Sequence, residues 1–334
     1  MVKPQVRRRA FTFGAAAAAF GLGGCAGTQD DAARPRAANG GGVLTPWLAI
    51  DGGWRADPRQ PLQIVPVPGA RLRFVQPVGV AALGDLLLVA DAGARMVWRI
   101  DRGRDAMAPF APFTGGSPGH AASLHVANDM SVWVALPAEH QVVQYDPRGR
   151  VVRRFLDDAN APRPVAVAVP DSRAEVFVGD GAAAQVAVFD PLGRTVGLLG
   201  GGRHPVLQSI AAMALGPDGL YVLDPLAQQV VVLGRGGEVV AVIGENQLLR
   251  PRALAVDRSG RVFVSDDADQ RIKVFRGADM VAAVGGAGGG PGRFGRIEAL
   301  AVDGNMLYVA DSVNARVQVM LVAPPSLERR GARS

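Results

Sequence analysis

Arginine dominates the charged groups of this chain that could do chemistry. Lys3 and Lys273 are its only lysines. Nearly every cation therefore presents a planar guanidinium fork, which matches carboxylate or phosphate. Arg73, Arg163, Arg252 and Arg296, together with His125 and Glu298, stand in segments that break an otherwise regular pattern. As a group they suit a large anionic ligand or a partner that carries one. The bland alternative is a set of solvated loops in an arginine-rich protein, and Arg102, Arg148, Arg194 and Arg235 elsewhere in the pattern keep that alternative open. The four histidines, His120, His125, His140 and His204, show no close ligand spacing such as HxH or HExxH. The one cysteine, Cys25, excludes a disulfide framework and any multi-cysteine zinc site. No phosphate loop or haem-attachment motif is present.

The elements that would position these residues follow from a repeat. Leu87–Asp91, Val176–Asp180, Leu220–Asp224, Val262–Asp266 and Leu307–Asp311 are one pattern, and Val132–Leu136 is a sixth copy without its Asp. The spacing is close to 44 residues. A second strand begins a few residues after each anchor, as in Gln229–Leu233 or Arg316–Met320. A small-residue apolar strand precedes each anchor, as in Pro251–Asp257, and a fourth, shorter strand follows a turn. The 43 Gly and 24 Pro supply many turns, and 49% hydrophobic content supplies a core. Four short strands per unit and six units predict an all-β fold: a six-bladed β-propeller with four-stranded antiparallel blades. The last unit lacks its outer strand, so an N-terminal strand should close the ring; Leu62–Val67 is the expected segment. The recurrent Asp91, Asp180, Asp224, Asp266 and Asp311 are expected to be turn caps rather than a site.

The run Asp311-Ser312-Val313-Asn314-Ala315-Arg316-Val317-Gln318-Val319 carries a resemblance to the NHL-repeat family. The resemblance covers about residues 62–322 and implies the propeller. Related propellers include an amidating lyase and a lactonase-like group, each built around a metal. The resemblance therefore holds open a single calcium or zinc on the axis. Asn128, Asp129 and Glu298 are the matching residue types, but Val78, Val165 and Ala211 occupy equivalent inner positions and complete no ligand set. No cofactor is expected.

Residues 1–25 read as an export signal. Arg8-Arg9-Ala10-Phe11-Thr12 resembles the twin-arginine motif, and Leu22-Gly23-Gly24-Cys25 resembles a bacterial lipobox with Cys25 as the lipidated residue. The resemblance implies an envelope lipoprotein, membrane-anchored and facing the periplasm, with Ala26 pointing to the outer membrane. Residues 26–60 read as a tether, 61–323 as the propeller and 324–334 as a polar tail; Trp47 and Trp54 suggest that the second half of the tether packs. Of the net charge of +6, four cations lie in the signal, so bulk charge argues for no nucleic-acid partner. The expected role is a monomeric, non-enzymatic binding or scaffold module for an envelope protein, a peptide or an anionic ligand. A metal-dependent lyase or lactonase is the alternative.

Overall fold

The structure, a computed structural model, describes residues 42–56, 66–112, 123–155, 163–172, 174–201 and 206–325. Cys25 and the segment read as an export signal, His120, Arg203, His204 and Leu62–Val65 lie outside the described residues. The chain enters through β1 (Leu44–Ile50), β2 (Gly52–Ala56) and β3 (Pro66–Arg73). Six blades follow in sequence order. Blade one is β4 (Pro77–Leu83), β5 (Leu86–Asp91), β6 (Met96–Asp101) and β7 (Ala106–Pro112). Blade two is β8 (Ser123–Val126), β9 (Val132–Leu136), β10 (Gln141–Tyr145) and β11 (Val151–Phe155). Blade three is β12 (Pro164–Ala168), β13 (Val176–Asp180), β14 (Gln185–Phe189) and β15 (Thr195–Leu199). Blade four is β16 (Ala212–Gly216), β17 (Gly219–Asp224), β18 (Gln229–Leu233) and β19 (Val239–Ile243). Blade five is β20 (Pro251–Val256), β21 (Arg261–Asp266), β22 (Arg271–Arg276) and β23 (Asp279–Gly285). Blade six is β24 (Ile297–Asp303), β25 (Met306–Asp311) and β26 (Arg316–Val322), completed by β1. Each blade is an antiparallel meander around one axis, so the expected six-bladed propeller is the fold of this protein.

The closing strand is not the expected one. β1 pairs antiparallel with β26, from Leu44 opposite Val322 to Ile50 opposite Val317. Leu44 is buried with Met320 and Val322, and Ile50 with Val317 and Val319. Pro46 and the neighbouring glycines hide this strand in the sequence. A proline is tolerated there because an outer strand has one free side. Of the expected closing segment, Pro66 and Val67 open β3. β3 pairs with β2, and β2 runs parallel to β7, which widens blade one to six strands. Trp54 thus belongs to a strand within the stretch read as a tether.

Middle strands read as unbroken apolar runs because neighbouring blades cover both their faces. All of Leu86–Asp91 and Val132–Leu136 is buried. Between blades one and two, Leu88, Val97, Val134 and Val143 interlock. Each such side chain contributes about 1.5–3 kcal/mol on burial.

The recurrent aspartates do more than cap a turn. Asp91 accepts from Val75 N (2.7 Å) and Gln76 N (2.9 Å), and from Ala94 N in its own turn (3.0 Å). Asp266 does the same with Leu249, Arg250 and Ala268 and also takes Lys273 Nζ at 2.7 Å. Asp311 holds Gly295, Arg296, Asn314 and Arg316. Each carboxylate therefore ties the loop entering its blade to the turn after the second strand. Burial opposes the Asp266 charge, but Lys273 and the backbone N–H donors outweigh it and its pKa is lowered. In blade three Asp180 Oδ2 finds no partner among the described residues. The residue two before Pro164 there is Pro162, which has no N–H to donate.

Candidate functional site

The inner strands start at one face of the ring and end at the other. Residues at or beside their starts form a collar at the first mouth, one from each blade: Val78, Val165, Arg252 and Glu298 are second residues of their strands, Ser123 opens β8 and Ala211 just precedes β16. In blades one, three, five and six the ladder register slips at this point. Pro77 faces Asp91 and Gly79 faces Ala90, so Val78 is the extra residue of a β-bulge. Val165 and Glu298 are bulged in the same way, and Arg252 lies within the corresponding shift. A bulge re-aims a side chain, here into the channel. Five further residues, Val80, Leu124, Met213, Leu254 and Leu300, form an apolar waist below the collar. The cavity above that waist has a volume of about 350 Å³.

Only blades five and six place charge in the collar. Glu298 is buried, and its Oε1 lies 2.9 Å from Arg296 Nε. Arg252 Nη1 lies 3.3 Å from Glu298 Oε2, and Arg252 Nε donates to Asp267 Oδ2 at 2.6 Å. Burial works against the Arg252 charge, but Asp267 and Glu298 outweigh it and its pKa is raised. The result is a fixed chain of alternating charge, Asp267–Arg252–Glu298–Arg296, on one side of the mouth. Across the cavity Arg163 is exposed and has no side-chain partner among the described residues. Arg250 donates to the carbonyl oxygen of Asp267 at 3.0 Å.

Of the six residues singled out in the sequence, Arg163, Arg252, Arg296 and Glu298 are therefore brought together. Arg73 and His125 are not. Arg73 is exposed and pairs with Asp51 at 2.6 Å, away from the cavity lining. Asp51 also takes Arg71, which reaches Asp105 and lies over the Trp54 ring, so this cluster straps β2 and β3 to blade one. His125 sits within β8 rather than in the loop before it, and lines the opposite end of the channel. Desolvation lowers its pKa to about 4, against a bond to the Val169 backbone and the charge of Asp171.

That opposite mouth, a cavity of about 290 Å³, is lined by Asp171, Asp257 and Asp303 together with Arg258. Each hairpin between a first and second strand carries a carboxylate at its turn: Asp85, Asp129, Asp171, Asp218, Asp257 and Asp303. Asn128 donates to Asp171 at 2.7 Å, and Asp257 is held by Arg261 at 2.7 Å. Among the described residues no three His, Cys, Asp or Glu side chains come together as a metal site would need.

No family model matches this chain, and no curated protein matches it either. Solved structures do match in fold. Virginiamycin B lyase from Staphylococcus aureus superposes with a TM-score of 0.55 at 10% identity, over 75% of this chain and 96% of that one. A streptogramin B lyase gives 0.53 at 9%, over 75% and 94%. A protein of unknown function from Bacteroides thetaiotaomicron gives 0.59 at 16%, over 75% and 70%. At such identities the likeness speaks for the propeller alone.

The signal that sequence reasoning lacked is the bulge. Arg252 and Arg250 are near neighbours in the chain, yet only Arg252 is turned into the channel wall beside Glu298. Nothing in the local sequence distinguishes them.

Proposed function

We propose that this chain is an NHL-type, envelope-anchored binding module, lipidated at Cys25, whose first mouth docks an anionic group of a partner. The observation that supports this reading is the bulged pair Arg252 and Glu298 in adjacent blades. Buried Glu298 and its partly exposed ion-pair partners form one array there, at a cavity whose other side offers Arg163, which has no side-chain partner among the described residues. A preorganised charge array with one open cation suits recognition of carboxylate or phosphate, because little side-chain entropy is left to lose on binding. A shielded contact of this kind contributes about 1.5–3 kcal/mol.

The geometry also selects the variant that tests it. Removing Arg252 and Arg296 together would leave Glu298 buried without a cation and damage the fold. Arg163→Glu changes the open cation and breaks no side-chain pair among the described residues. Crosslinking in cells followed by purification should recover fewer partners on Arg163→Glu, by roughly tenfold, and as many on the control pair Arg148→Ala with Arg194→Ala. Equal recovery on Arg163→Glu and wild type would sink the assignment of this face.

A second reading, a propeller enzyme, is favoured by the two lyases among the structural neighbours. Metal analysis of the purified protein tests its metal-dependent form. One tightly held calcium or zinc per chain would support it.

A further inference from the structure

We infer that the first mouth takes a peptide segment carrying both carboxylate and large apolar side chains. The inference rests on the reading of this face as a binding face and names the class of ligand. Its evidence is a second feature of the same face. Val75, Leu226, Leu249 and Val313 stand 61, 70, 57 and 70% exposed on the loops around the mouth, from blades one, four, five and six. They are not loose. Val75 lies against Gly93 and Val313 against Gly295, where any added side chain would collide with them. Gln228 donates to the Leu249 carbonyl and ties the Leu226 turn to the next blade. Among the described residues the six hairpins around the opposite mouth expose no large apolar side chain, and the outer turns on that face expose one, Leu192 between β14 and β15.

Scattered exposed apolar residues need no explanation, but an arc of them across four consecutive blades on one face of a propeller marks an interaction surface. Charge decides the occupant. Arg163 and Arg250 have no carboxylate partner among the described residues, whereas Glu298 and Asp267 are already engaged by Arg252 and Arg296. A basic segment would meet unpaired arginines. An acidic one would complete them, and its apolar side chains would cover the exposed arc. A cavity of about 350 Å³ above the Leu254–Leu300 waist suits a side chain rather than a folded domain. The chain of the ligand therefore runs across the mouth with one apolar side chain entering it.

A displayed random short-peptide library, selected on the purified protein, tests this directly. Binders should combine Asp or Glu with Leu, Ile or Phe. The best of them, followed by fluorescence anisotropy, should lose about tenfold in affinity on Leu226→Ser with Leu249→Ser, and about as much on Arg163→Glu. Both leucines are exposed, so the thermal midpoint should hold; Val196→Ser with Leu198→Ser, on an outer strand, is the matched control and should change nothing. If Arg163→Glu weakens binding while the leucine pair does not, the binding face stands and the peptide class is overturned. If neither matters, or basic peptides emerge, both readings fall. Vesicles of phosphatidylglycerol provide the last arm: binding to them that Arg163→Glu abolishes, with no peptide selected, overturns the proposal in favour of a lipid surface.

Discussion

The two ends of one channel are built from the same six strands and end up with different chemistry. At the first mouth the entering loops differ from blade to blade and each is pinned by an aspartate clamp, except in blade two, where Leu136 holds that position. The pinned loops carry arginine and exposed apolar side chains. At the second mouth the hairpins are tight in blades one, four and six and longer in blades two, three and five, and each carries a carboxylate at or beside the turn. A short hairpin has few positions to vary, and Asp is favoured there because it satisfies its own turn N–H groups. Asp257 accepts from Ser259 and Arg261 in this way. The lesson is that the carboxylates of the second mouth are largely a by-product of turn chemistry, whereas the cationic rim is not required by any turn. Chemistry that the fold does not need is the better guide to function.

Three changes sharpen that contrast. The largest effect belongs to the strand that closes both mouths at once. Deleting residues 42–50 removes β1, bares the edge of β26 and exposes Met320 and Val322. We expect loss of cooperative unfolding and aggregation during purification; a deletion variant with an unchanged melting curve would show that the ring closes without it.

The second change compares the ends. Asp311 is fully buried and holds four groups, so Asp311→Ala should cost about 3–5 kcal/mol. For a domain of this size that lowers the thermal midpoint by about 10 °C. Asp303, in the opposite hairpin, accepts from Gly84 N at 2.8 Å and is partly exposed. Its replacement by Ala should cost about 1 kcal/mol or less. Similar melting of the two variants would break the view that only the first mouth is clamped.

The third and smallest effect is a pH dependence confined to the second mouth. Folding lowers the His125 pKa to about 4 from an ordinary 6.5. Between those values the unfolded chain binds the extra proton, so stability is complete above pH 6.5 and declines as pH falls toward 4. His125→Gln should flatten the midpoint over that window. The lowered carboxylate pKa values of Asp257 and Asp266 act differently: their contribution is present above 3.8 and is lost only at lower pH. A variant with an unaltered pH profile would show that some other group carries the decline.

The repeat itself was enough for the architecture. Leu-Tyr-Val-Ala-Asp and its relatives recur near every 44 residues, and each copy needs neighbours on both faces to bury it. Blade count, strand count, the structural role of the aspartates and the need for an N-terminal closing strand all follow from that local pattern. Which segment closes the ring did not. Leu62–Val67 reads as the clearer strand, because Pro46 interrupts Leu44–Ile50, and only pairing with the free edge of β26 selects Leu44–Ile50. Arg252, Arg296, Glu298 and Arg163 were legible as departures from the repeat, but Arg73 and His125 looked the same in sequence. The difference is a matter of side-chain direction. A bulge at the second residue of an inner strand turns Glu298 into the channel, regular pairing carries His125 to the far end, and an ion pair with Asp51 holds Arg73 outside. Those directions come from strand register and from partners distant in the chain, which is why they are settled by the tertiary structure alone.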